Sequence, residues 1–456
     1  MKLGVLILAA GEGTRMRSRL PKVLHRLAGK PLLSHVISTA RDFSPEEITV
    51  VYGHGGDQVR NLLDAPDIGW CEQKERLGTG HAVIQALPFL QSVDKVVILY
   101  GDVPLIREAT LKSMLDRLQN SDLVLLTEEL ADPTGYGRIV RNGNNRVTAI
   151  VEQKDASEAQ LAIKEINTGI MAVDHSRLEA WLGRIDNNNA QREYYLTDII
   201  ALAVAEGVEV MTVNPESEEE VMGINDRLQL AHLERHYQRL QAEALMRDGA
   251  TLADPSRIDV RGKLSVGRDV FIDVNTVFEG EVRLGDGVSI GPNAMIKNTT
   301  IHDDVQILAN CVIEDAEIGR GSRVGPFTRI RPETRLAEGV HLGNFVEVKK
   351  SQVAKGSKIN HLSYVGDTLV GSSVNIGAGT ITCNYDGANK YQTIIGDNAF
   401  IGSDTQLIAP VTVGSGSTIG AGSTITRDTP PDKLSLSRAK QVSVDGWQRP
   451  VKQPKK

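Results

Sequence analysis

The stretch Ile395-Gly396-Asp397-Asn398-Ala399-Phe400-Ile401-Gly402 returns to an aliphatic–glycine pair after six residues. The same pair recurs from about Val266 to Thr426, and in several places it follows the preceding pair after six residues. A six-residue period fits neither an α-helix nor a half-buried strand, and it is typical of a hexapeptide β-helix. The repeat therefore predicts a left-handed parallel β-helix of roughly eight or nine coils, with three hexads in each coil. The other pairs are Leu284-Gly285, Ile290-Gly291, Ile318-Gly319, Val324-Gly325, Leu342-Gly343, Val370-Gly371, Ile376-Gly377 and Ile419-Gly420.

One segment of the repeat departs from this period. Thr380 to Thr393 does not fit the hexads, so we expect it to loop out of the solenoid. A polar loop that contains aromatic residues and projects from a regular scaffold is a common place for a functional site. We therefore predict a site near this loop.

The first half of the chain has no such repeat and alternates apolar strands with helical patterns. Leu3–Ala9, Glu47–Tyr52 and Lys95–Tyr100 are predicted as buried strands, with helices at Glu108–Leu118 and Tyr194–Ala205. This alternation predicts a Rossmann-like α/β domain with a mostly parallel sheet that is covered on both faces.

A long helix is predicted between the two halves, from Asn225 to Arg247 and ending near Gly249. Its apolar residues fall on one helical face. The expected organisation is an α/β domain over 1–226, a linker helix over 227–249, and a repeat domain with a C-terminal tail over 250–456. The residues of the predicted apolar face are Leu230, Leu233, Tyr237, Leu240 and Ala244.

Composition excludes several classes of protein. The 456 residues are 41% apolar but contain no apolar run long enough to span a bilayer, so we expect no membrane partner. A net charge of −7 argues against nucleic acid as a partner. Cys71, Cys311 and Cys383 are scattered and odd in number, which indicates a reducing cytoplasm rather than a disulfide framework.

A glycine-rich turn follows the first predicted strand, in the sequence Leu8-Ala9-Ala10-Gly11-Glu12-Gly13-Thr14-Arg15-Met16. Phosphates bind at this position in α/β sheets. Met16 replaces the third glycine of the redox dinucleotide motif, and no Gly-Lys-Ser/Thr follows, so a P-loop is also excluded. The cations Arg15 and Lys22 suit a nucleoside triphosphate. The alternative is a tight turn with a solvated arginine and lysine.

Two further turns lie in the same half. Asp102 in Tyr100-Gly101-Asp102 ends an apolar strand, where a carboxylate is a natural Mg²⁺ ligand beside phosphates. The alternative is an aspartate that caps a helix or forms a turn. Gly78-Thr79-Gly80-His81 is either a plain loop or a turn that lets a ligand approach the backbone.

Chemically active side chains also interrupt the solenoid. Arg331 and Lys349 could form a phosphate site or could be solvated residues on the outside of a coil. His361 is well matched to take a proton from an amine that attacks a thioester, although it could instead be structural. Solenoids of this kind serve acyl transfer or structure alone, so the fold does not decide between these uses.

The motifs of the first half resemble those of sugar-1-phosphate nucleotidyltransferases. Over nearly the whole chain, the sequence resembles the bacterial bifunctional GlmU family. This resemblance implies acetyl transfer from acetyl-CoA to glucosamine-1-phosphate, then uridylyl transfer from UTP to N-acetylglucosamine-1-phosphate. The motifs are Leu8–Met16 with Pro21-Lys22-Val23-Leu24, Gln73 with Leu77–His81, Tyr100–Leu105, Asp132–Arg138, Val151–Asp155, Glu165–Gly169 and Asn225-Asp226-Arg227.

The resemblance also implies roles for single residues in the first half. Asp102 and Asn225 would hold Mg²⁺, and Arg15 and Lys22 would neutralise phosphate charge. The residues implied to bind UTP or the UDP-sugar are Leu8, Ala9, Ala10, Gly11, Lys22, Gln73, Gly78, Thr79, Tyr100, Gly101, Asp102 and Asn225, with Gly137, Glu152 and Asn167 on the sugar.

In the second half, the resemblance makes His361 the catalytic base. It further implies a cytoplasmic homotrimer whose product feeds peptidoglycan and lipopolysaccharide synthesis. The implied ligands of glucosamine-1-phosphate are Arg331, Lys349, Tyr364 and Asn375, and those of acetyl-CoA are Ala378, Asn384, Tyr385, Ser403, Ala421 and Arg438.

Two other functions are compatible with parts of this pattern. The first domain could transfer nucleotides while the solenoid only builds an oligomer, or the solenoid could be a scaffold for protein partners. The scaffold hypothesis expects exposed aromatic patches, yet aromatic residues make up only 4% of the chain. Cys383 adds a separate hypothesis, in which a thiol reagent at this residue blocks acetyl transfer. Its alternative is a buried and inert thiol.

Overall fold

The computed structural model describes residues 2–53, 55–63 and 65–452. The described residues form two compact units, which divide in the sequence between Tyr237 and Gln238. Met1 and residues 453–456 of the predicted tail lie outside the described residues.

A mixed sheet of nine strands, counted over the described residues, forms the centre of the first unit. Leu3–Ala9 lies parallel to Glu47–Tyr52 on one side and to Lys95–Tyr100 on the other, and all three strands have their predicted limits. Glu165–Asp174 runs antiparallel to its neighbours Lys95–Tyr100 and Leu123–Glu129. The sheet is otherwise mostly parallel, which confirms the predicted fold class.

The remaining strands of this unit are Arg26–Leu27, Lys30–Pro31, Gly69–Glu72, Gly137–Arg141, Val147–Val151 and Met211–Val213. The helices are Leu32–Arg41, Gly56–Leu63, Thr79–Ala86, Glu108–Arg117, Glu158–Leu161, His175–Leu182, Asp198–Ala205 and Glu218–Val221, with short 3₁₀ turns at Thr14–Met16, Lys22–Leu24 and Leu87–Phe89.

Both faces of the central strand are covered. Val5 and Ile7 pack into one hydrophobic cluster, while Leu6 and Leu8 pack into another on the opposite face. A strand that is buried on both sides has no polar face, which explains its continuous apolar sequence. The predicted helix from Tyr194 begins only at Asp198, because the backbone of Tyr194 bonds instead to Leu77 and Gly80.

The connecting helix spans Arg227–Arg247, and Gly249 follows with a positive φ of 105°. Leu233 is buried in the first unit, with Leu230 and Tyr237 packed beside it, as predicted.

The same prediction is wrong for Leu240 and Ala244, which are exposed. The buried positions are instead Gln238, Ala242 and Leu245. The apolar stripe shifts because the second half of the helix packs into the core of the second unit, whereas the first half packs into that of the first.

The second unit is a parallel β-helix with three faces, each a ladder of strands that pair with strands one coil away. The first face comprises Thr251–Leu252, Phe271–Ile272, Ser289–Ile290, Gln306–Ile307, Arg323–Val324, His341–Asn344, Lys358–His361, Asn375–Ile376, Phe400–Ile401, Thr418–Ile419 and Leu434–Ser435.

The second and third faces begin together in two long strands, Ile258–Val266 and Thr276–Leu284. The second face continues through Met295–Lys297, Val312–Glu314, Arg329–Ile330, Glu347–Lys349, Tyr364–Gly366, Ile381–Cys383, Gln406–Ile408 and Thr424–Ile425. The third face continues through Thr300–Ile301, Ala316–Ile318, Thr334–Leu336, Gln352–Val353, Thr368–Val370, Thr393–Ile395 and Val411–Val413.

The aliphatic residue of each hexad points inward. On the first face, Ile290, Ile307, Val324, Leu342 and Ile359 stack on successive coils and are fully or almost fully buried. This column confirms the hexapeptide prediction. The first face has 11 strands within the described residues, so the solenoid extends beyond the eight or nine coils predicted.

The looped segment is shorter than predicted. Ile381–Cys383 is a strand that pairs with Gln406–Ile408, so only the residues from Asn384 to Gln392 leave the solenoid. Thr382 points inward, and its hydroxyl accepts a hydrogen bond of 2.8 Å from the backbone N–H of Gly366. A threonine can occupy an inward position when its hydroxyl is hydrogen-bonded. The repeat pattern expects an aliphatic residue at such a position, and this is why the loop was predicted to be longer.

Within the described residues, no helix is both long enough and apolar enough to cross a membrane.

Candidate functional sites

A cavity of about 340 Å³ opens at the carboxyl ends of the parallel strands in the first unit. Ten residues of the predicted nucleotide site line it, together with Val23, Arg76, Ala82 and Glu193. The cavity thus brings together turns that are far apart in the sequence. The ten residues are Leu8, Ala9, Ala10, Gly11, Lys22, Gln73, Gly78, Thr79, Tyr100 and Asp102.

Two glycines allow these turns to pack closely. Gly13 has a φ of 63°, and a Cβ atom there would lie 2.5 Å from the Cβ of Lys22. Gly78 has a φ of 105°, and its Cβ would lie 2.5 Å from the carbonyl oxygen of Tyr194. Both positions combine a left-handed backbone with a close contact, so a side chain is excluded at each.

Lys22 links the two predicted metal ligands. Its Nζ lies 2.5 Å from Oδ2 of Asp102 and 3.2 Å from Oδ1 of Asn225. The Asn225 side-chain nitrogen donates to the carbonyl of Gly223 at 3.4 Å, which directs the amide oxygen towards Lys22. A carboxylate and an amide oxygen therefore converge on one positive charge.

Gly137, Glu152 and Asn167 form a second cluster in the same unit. Gly137 pairs with Asn167 across the sheet, and a Cβ on Gly137 would lie 3.4 Å from Oε1 of Glu152. Burial raises the pKa of Glu152, while a 3.1 Å hydrogen bond from the hydroxyl of Thr197 opposes this effect. The predicted sugar ligands thus lie together, although they do not line the first cavity.

Carboxylates concentrate near this cluster. Burial raises the pKa of Asp198 to about 6, and the charges of Asp186, Glu152 and Asp155 add to the shift. Burial also raises the pKa of the Tyr100 hydroxyl, which faces Glu152 and Asp102.

Two predicted residues stand apart from the cavity wall. Arg15 is exposed on the turn Thr14–Met16 and is not among the lining residues. Burial raises the pKa of Tyr136, and the charge of Arg15 opposes this rise. Gly101 packs against Ala9, a residue of the cavity wall, and a Cβ atom on Gly101 would lie 3.1 Å from the Cβ of Ala9. Sequence reasoning missed Arg76, which lines the cavity and pairs with Glu12. Its position three residues after Gln73 was the available signal.

Arg331 and Lys349 directly follow Ile330 and Val348, which pair on adjacent coils of the second face. Arg331 donates a hydrogen bond of 2.9 Å to Oε1 of Glu347. Tyr364 pairs with Glu347, and its hydroxyl leans over Gly366 beside the amide of Asn384. The second face therefore brings three of the four predicted sugar-phosphate ligands, Arg331, Lys349 and Tyr364, onto one surface.

Lys390 is a further cation that sequence reasoning missed. It lies in the looped segment, and contact with Lys349 lowers its pKa, with Asp367 and Tyr364 acting in the opposite direction. An anion bound near these two lysines would relieve the repulsion between their charges. The signal was a lysine inside the segment that breaks the repeat.

The predicted acetyl-CoA ligands lie mainly on one corner of the solenoid, where the first face ends. The backbone carbonyls of His361, Ala378 and Ser403 each accept a hydrogen bond from the next coil, at 3.3, 2.7 and 2.8 Å. The guanidinium of Arg438 donates to the carbonyl of Ala421 at 2.8 Å. His361, Ala378, Ser403 and Ala421 thus form a continuous line, which we call the corner column.

His361 is exposed at the wall of a cavity of about 290 Å³, beside Arg323 and His341. Burial lowers the pKa of His341, and the charges of Arg323, Lys358 and His361 lower it further. The exposed imidazole of His361 is thus within reach of a molecule that binds in this cavity.

The remaining residues of the second site are dispersed. Asn375 lies on the first face, in register with Lys358 and Phe400, and so apart from Arg331 and Lys349. Asn384 is buried at the base of the loop, where its side-chain nitrogen donates to Asp367 at 2.5 Å, whereas Tyr385 is exposed.

Cys383 is half-buried on the second face, and burial raises the pKa of its thiol. It is therefore neither fully buried nor activated, and the hypothesis that its modification blocks acetyl transfer stays a prediction.

Family models match three parts of the chain. The MobA-like NTP transferase domain matches residues 5–155, the GMPPB C-terminal domain matches 260–344, and the bacterial transferase hexapeptide (six repeats) matches 392–427. The bifunctional protein GlmU of Nitrosospira multiformis is 61% identical over 455 residues, covering 100% of this chain and 99% of its own. That of Ralstonia pickettii is 59% identical over 453 residues, covering 99% and 100%.

The two units thus define a transferase in which a nucleotidyltransferase domain precedes a hexapeptide-repeat acyltransferase domain. The chain belongs to the bifunctional GlmU family. It is an enzyme that acetylates glucosamine-1-phosphate and then transfers a uridylyl group from UTP, which yields UDP-N-acetylglucosamine and pyrophosphate. The single-activity and scaffold alternatives are therefore excluded.

Proposed function

We propose that the cavity of the first unit carries out uridylyl transfer and that the corner column carries out acetyl transfer. The observation that supports the first assignment is the convergence of the glycine-rich turn, Lys22 and Asp102 on one cavity. For the second, it is the alignment of His361 with Ala378, Ser403 and Ala421.

In uridylyl transfer, a phosphate oxygen of the sugar phosphate attacks the α-phosphorus of UTP. The new P–O bond forms as the bond to the β-phosphate oxygen breaks, and pyrophosphate leaves. Two polyanions must be aligned and their charge neutralised, and no protein nucleophile is needed. Lys22 and Arg15 supply positive charge, the backbone of the glycine-rich turn holds phosphates, and Glu152 and Asn167 hold the N-acetylglucosamine part.

The residues present fit a magnesium ion. Oδ2 of Asp102 and Oδ1 of Asn225 face the same cation, the ammonium of Lys22, so they can face a metal ion in the same way. Mg²⁺ prefers oxygen ligands and commonly takes only one or two from protein, with the rest from phosphates and water. Asp102 and Asn225 would hold the ion, which neutralises phosphate charge when bound.

In acetyl transfer, the amine of glucosamine-1-phosphate attacks the thioester carbonyl of acetyl-CoA. His361 takes the proton that the amine loses, the C–N bond forms, and the C–S bond then breaks to release coenzyme A. Arg331, Lys349 and Lys390 bind the sugar phosphate with Tyr364 and Asn375. Acetyl-CoA lies along the corner column, with Asn384 and Tyr385 near its reactive end and Arg438 near its phosphates.

The functional protein is a homotrimer in this proposal. Phe327, Phe345 and Leu362 are bulky apolar residues that are at least half exposed on the corner next to His361. Each has a positive φ of 50–56°, a conformation that costs a bulky residue about 1–2 kcal/mol. A second copy of the chain that covers these side chains offsets this cost. It would also bring a first face, with Asn375, to the second face of its neighbour.

The oligomeric state is measured directly by light scattering during gel filtration. We expect a mass of three times 49.5 kDa, and a smaller mass for a Phe345→Asp/Leu362→Asp variant. A monomeric wild-type protein would contradict the trimer. Within the described residues the cysteines Cys71, Cys311 and Cys383 are free, which supports a reducing, cytoplasmic location.

Chelation tests the assignment of the two reactions to different sites. EDTA should stop uridylyl transfer and leave acetyl transfer unchanged, and added Mg²⁺ should restore the first. Uridylyl transfer that persists in EDTA would reject the metal, and loss of both reactions would reject independent sites.

A further inference from the structure

Gln73 lines the first cavity, and its side-chain nitrogen contacts two groups of the protein. Nε2 lies 3.1 Å from the carbonyl oxygen of Gly78 and 3.1 Å from Nδ1 of His81. A backbone carbonyl can only accept a hydrogen bond, so the side-chain atom that faces Gly78 must be the amide nitrogen. Its two hydrogens are then committed to Gly78 and His81, and the carbonyl oxygen Oε1 is left for a ligand.

His81 is held in place to receive this hydrogen bond. It lies in the first turn of the helix Thr79–Ala86 and does not line the cavity itself. Its ring lies 6.5 Å from that of Tyr194, between centroids, and its Nε2 lies 3.4 Å from the side-chain nitrogen of Gln85. Since Nδ1 accepts from Gln73, the proton of the neutral ring is on Nε2. A donor at Nε2 requires an acceptor, so the Gln85 amide turns its oxygen, and not its nitrogen, towards the ring.

We propose that His81 is a positioning residue that fixes the amide orientation of Gln73 and thereby selects uracil over cytosine. The inference rests on the proposed function, in which Gln73 holds the uridine nucleotide. An outward Oε1 is an acceptor, and it suits the N3–H donor of uracil. Cytosine carries an acceptor at N3, so the same placement would leave two lone pairs facing each other.

Without His81, Gln73 loses one of the two acceptors that hold its nitrogen. The Gly78 carbonyl still favours the present orientation, but the free-energy difference between the two amide orientations falls by about one hydrogen bond. The flipped amide, which presents Nε2 to the base and suits cytosine, is then populated more often. A site that is built to accept a hydrogen bond from one donor discriminates strongly against an analogue that lacks the donor. A partial loss of the Gln73 orientation therefore weakens the discrimination between UTP and CTP. We expect His81→Ala to lower the preference for UTP over CTP, measured as the ratio of kcat/KM values, by about tenfold.

The test compares both nucleotides in four variants of the full-length protein. His81→Asn keeps an acceptor near the position of Nδ1 and should restore most of the preference. Gln85→Ala removes only an exposed contact of 3.4 Å at the opposite nitrogen of the ring, so the preference should be nearly unchanged. Gln73→Ala should remove it. Acetyl transfer and the thermal unfolding midpoint report whether each variant is folded.

The outcomes separate the inference from the function on which it rests. If Gln73→Ala leaves the preference unchanged, Gln73 does not contact the base and the proposed placement of uracil is wrong. If Gln73→Ala removes the preference but His81→Ala does not, only the inference about His81 is overturned. An equal loss of kcat/KM for both nucleotides in His81→Ala would make the histidine merely structural and would also overturn it.

Discussion

The two sites are built in opposite ways. In the first unit, turns from distant parts of the sequence meet at one edge of one sheet, and a single cavity collects ten of the predicted residues. On the solenoid, neighbours in space are residues one coil apart, and the candidate residues spread over two faces and a corner. A sheet edge brings the residues of a site together within one chain. A solenoid offers long open surfaces, and in our proposal a second copy of the chain completes the site there.

The charged groups of the two sites also differ in how strongly water screens them. Lys22 and Asp102 are largely buried, with side chains 11% and 16% exposed, so their interaction is weakly screened. Lys390 lies in an exposed loop, where water screens its charge. We therefore expect changes at the first site to have larger effects on activity than loss of a single lysine at the second.

The largest effect is expected for Asp102→Ala. Loss of the carboxylate removes a proposed metal ligand and leaves Lys22 without its closest partner, and metal ions stabilise phosphoryl transfer by several kcal/mol. Uridylyl transfer should fall by about a thousandfold, while acetyl transfer continues. Asp116→Ala, an exposed aspartate of the same unit, is the control. Retained uridylyl transfer in Asp102→Ala would reject the metal assignment.

His361→Ala should affect only the other reaction. A positioned general base contributes about a hundredfold or more, so acetyl transfer should fall by at least this factor. Uridylyl transfer to supplied N-acetylglucosamine-1-phosphate should not change. His302→Ala removes an exposed histidine on another coil and should leave both rates intact. If both activities fell together in a folded His361→Ala protein, the two sites would not be independent.

Lys390→Ala should have a moderate effect. Removing one cation from the proposed phosphate site should raise KM for glucosamine-1-phosphate by about tenfold, the size of one charge-assisted hydrogen bond, with kcat nearly unchanged. Lys355→Ala, which breaks an exposed ion pair with Glu338, is the matched control. An unchanged or lower KM would mean that Lys390 only repels Lys349.

The smallest effect concerns stability in the first unit. The folded state raises the pKa of Asp198 from 3.8 to about 6, so it binds this proton more tightly than the unfolded chain does. The resulting stabilisation is complete below pH 3.8 and is lost as the pH rises through 6.

Asp198→Asn stays neutral, so its advantage over wild type should grow between pH 5 and pH 7.5. The carboxyl is only half-buried, and we therefore expect a gain of roughly 1 kcal/mol, well below the value for an unscreened group. Urea unfolding followed by tryptophan fluorescence measures it, because Trp70 and Trp181 lie in this unit. A gain that is equal at both pH values would contradict the shifted pKa.

Much of the fold was predictable because local patterns dominate it. Continuous apolar runs predict the strands Leu3–Ala9, Glu47–Tyr52 and Lys95–Tyr100. The six-residue period predicts the stacked aliphatic residues of the solenoid. The errors arise where tertiary contacts decide. Leu240 is exposed because the helix changes from one core to another, and Thr382 is inward because its hydroxyl finds a backbone partner.

Site residues that belong to short sequence motifs were predictable, whereas those outside such motifs were not. The first site is marked by glycines in short motifs, since Gly13 and Gly78 can bear no side chain. Arg76 and Lys390 escaped prediction because neither belongs to a motif, and their roles depend on side chains that meet only in the folded chain. The role of His81 depends on a hydrogen-bond partner and could not be inferred from its position in a turn.

The central claim is that the two reactions take place at separate sites, uridylyl transfer in the first unit and acetyl transfer on the solenoid. One measurement tests it most directly: the wild-type protein is incubated with glucosamine-1-phosphate, acetyl-CoA and Mg²⁺, and UTP is omitted. The account predicts that N-acetylglucosamine-1-phosphate accumulates, and that later addition of UTP converts it to UDP-N-acetylglucosamine. Absence of any acetylated product until UTP is added would contradict it.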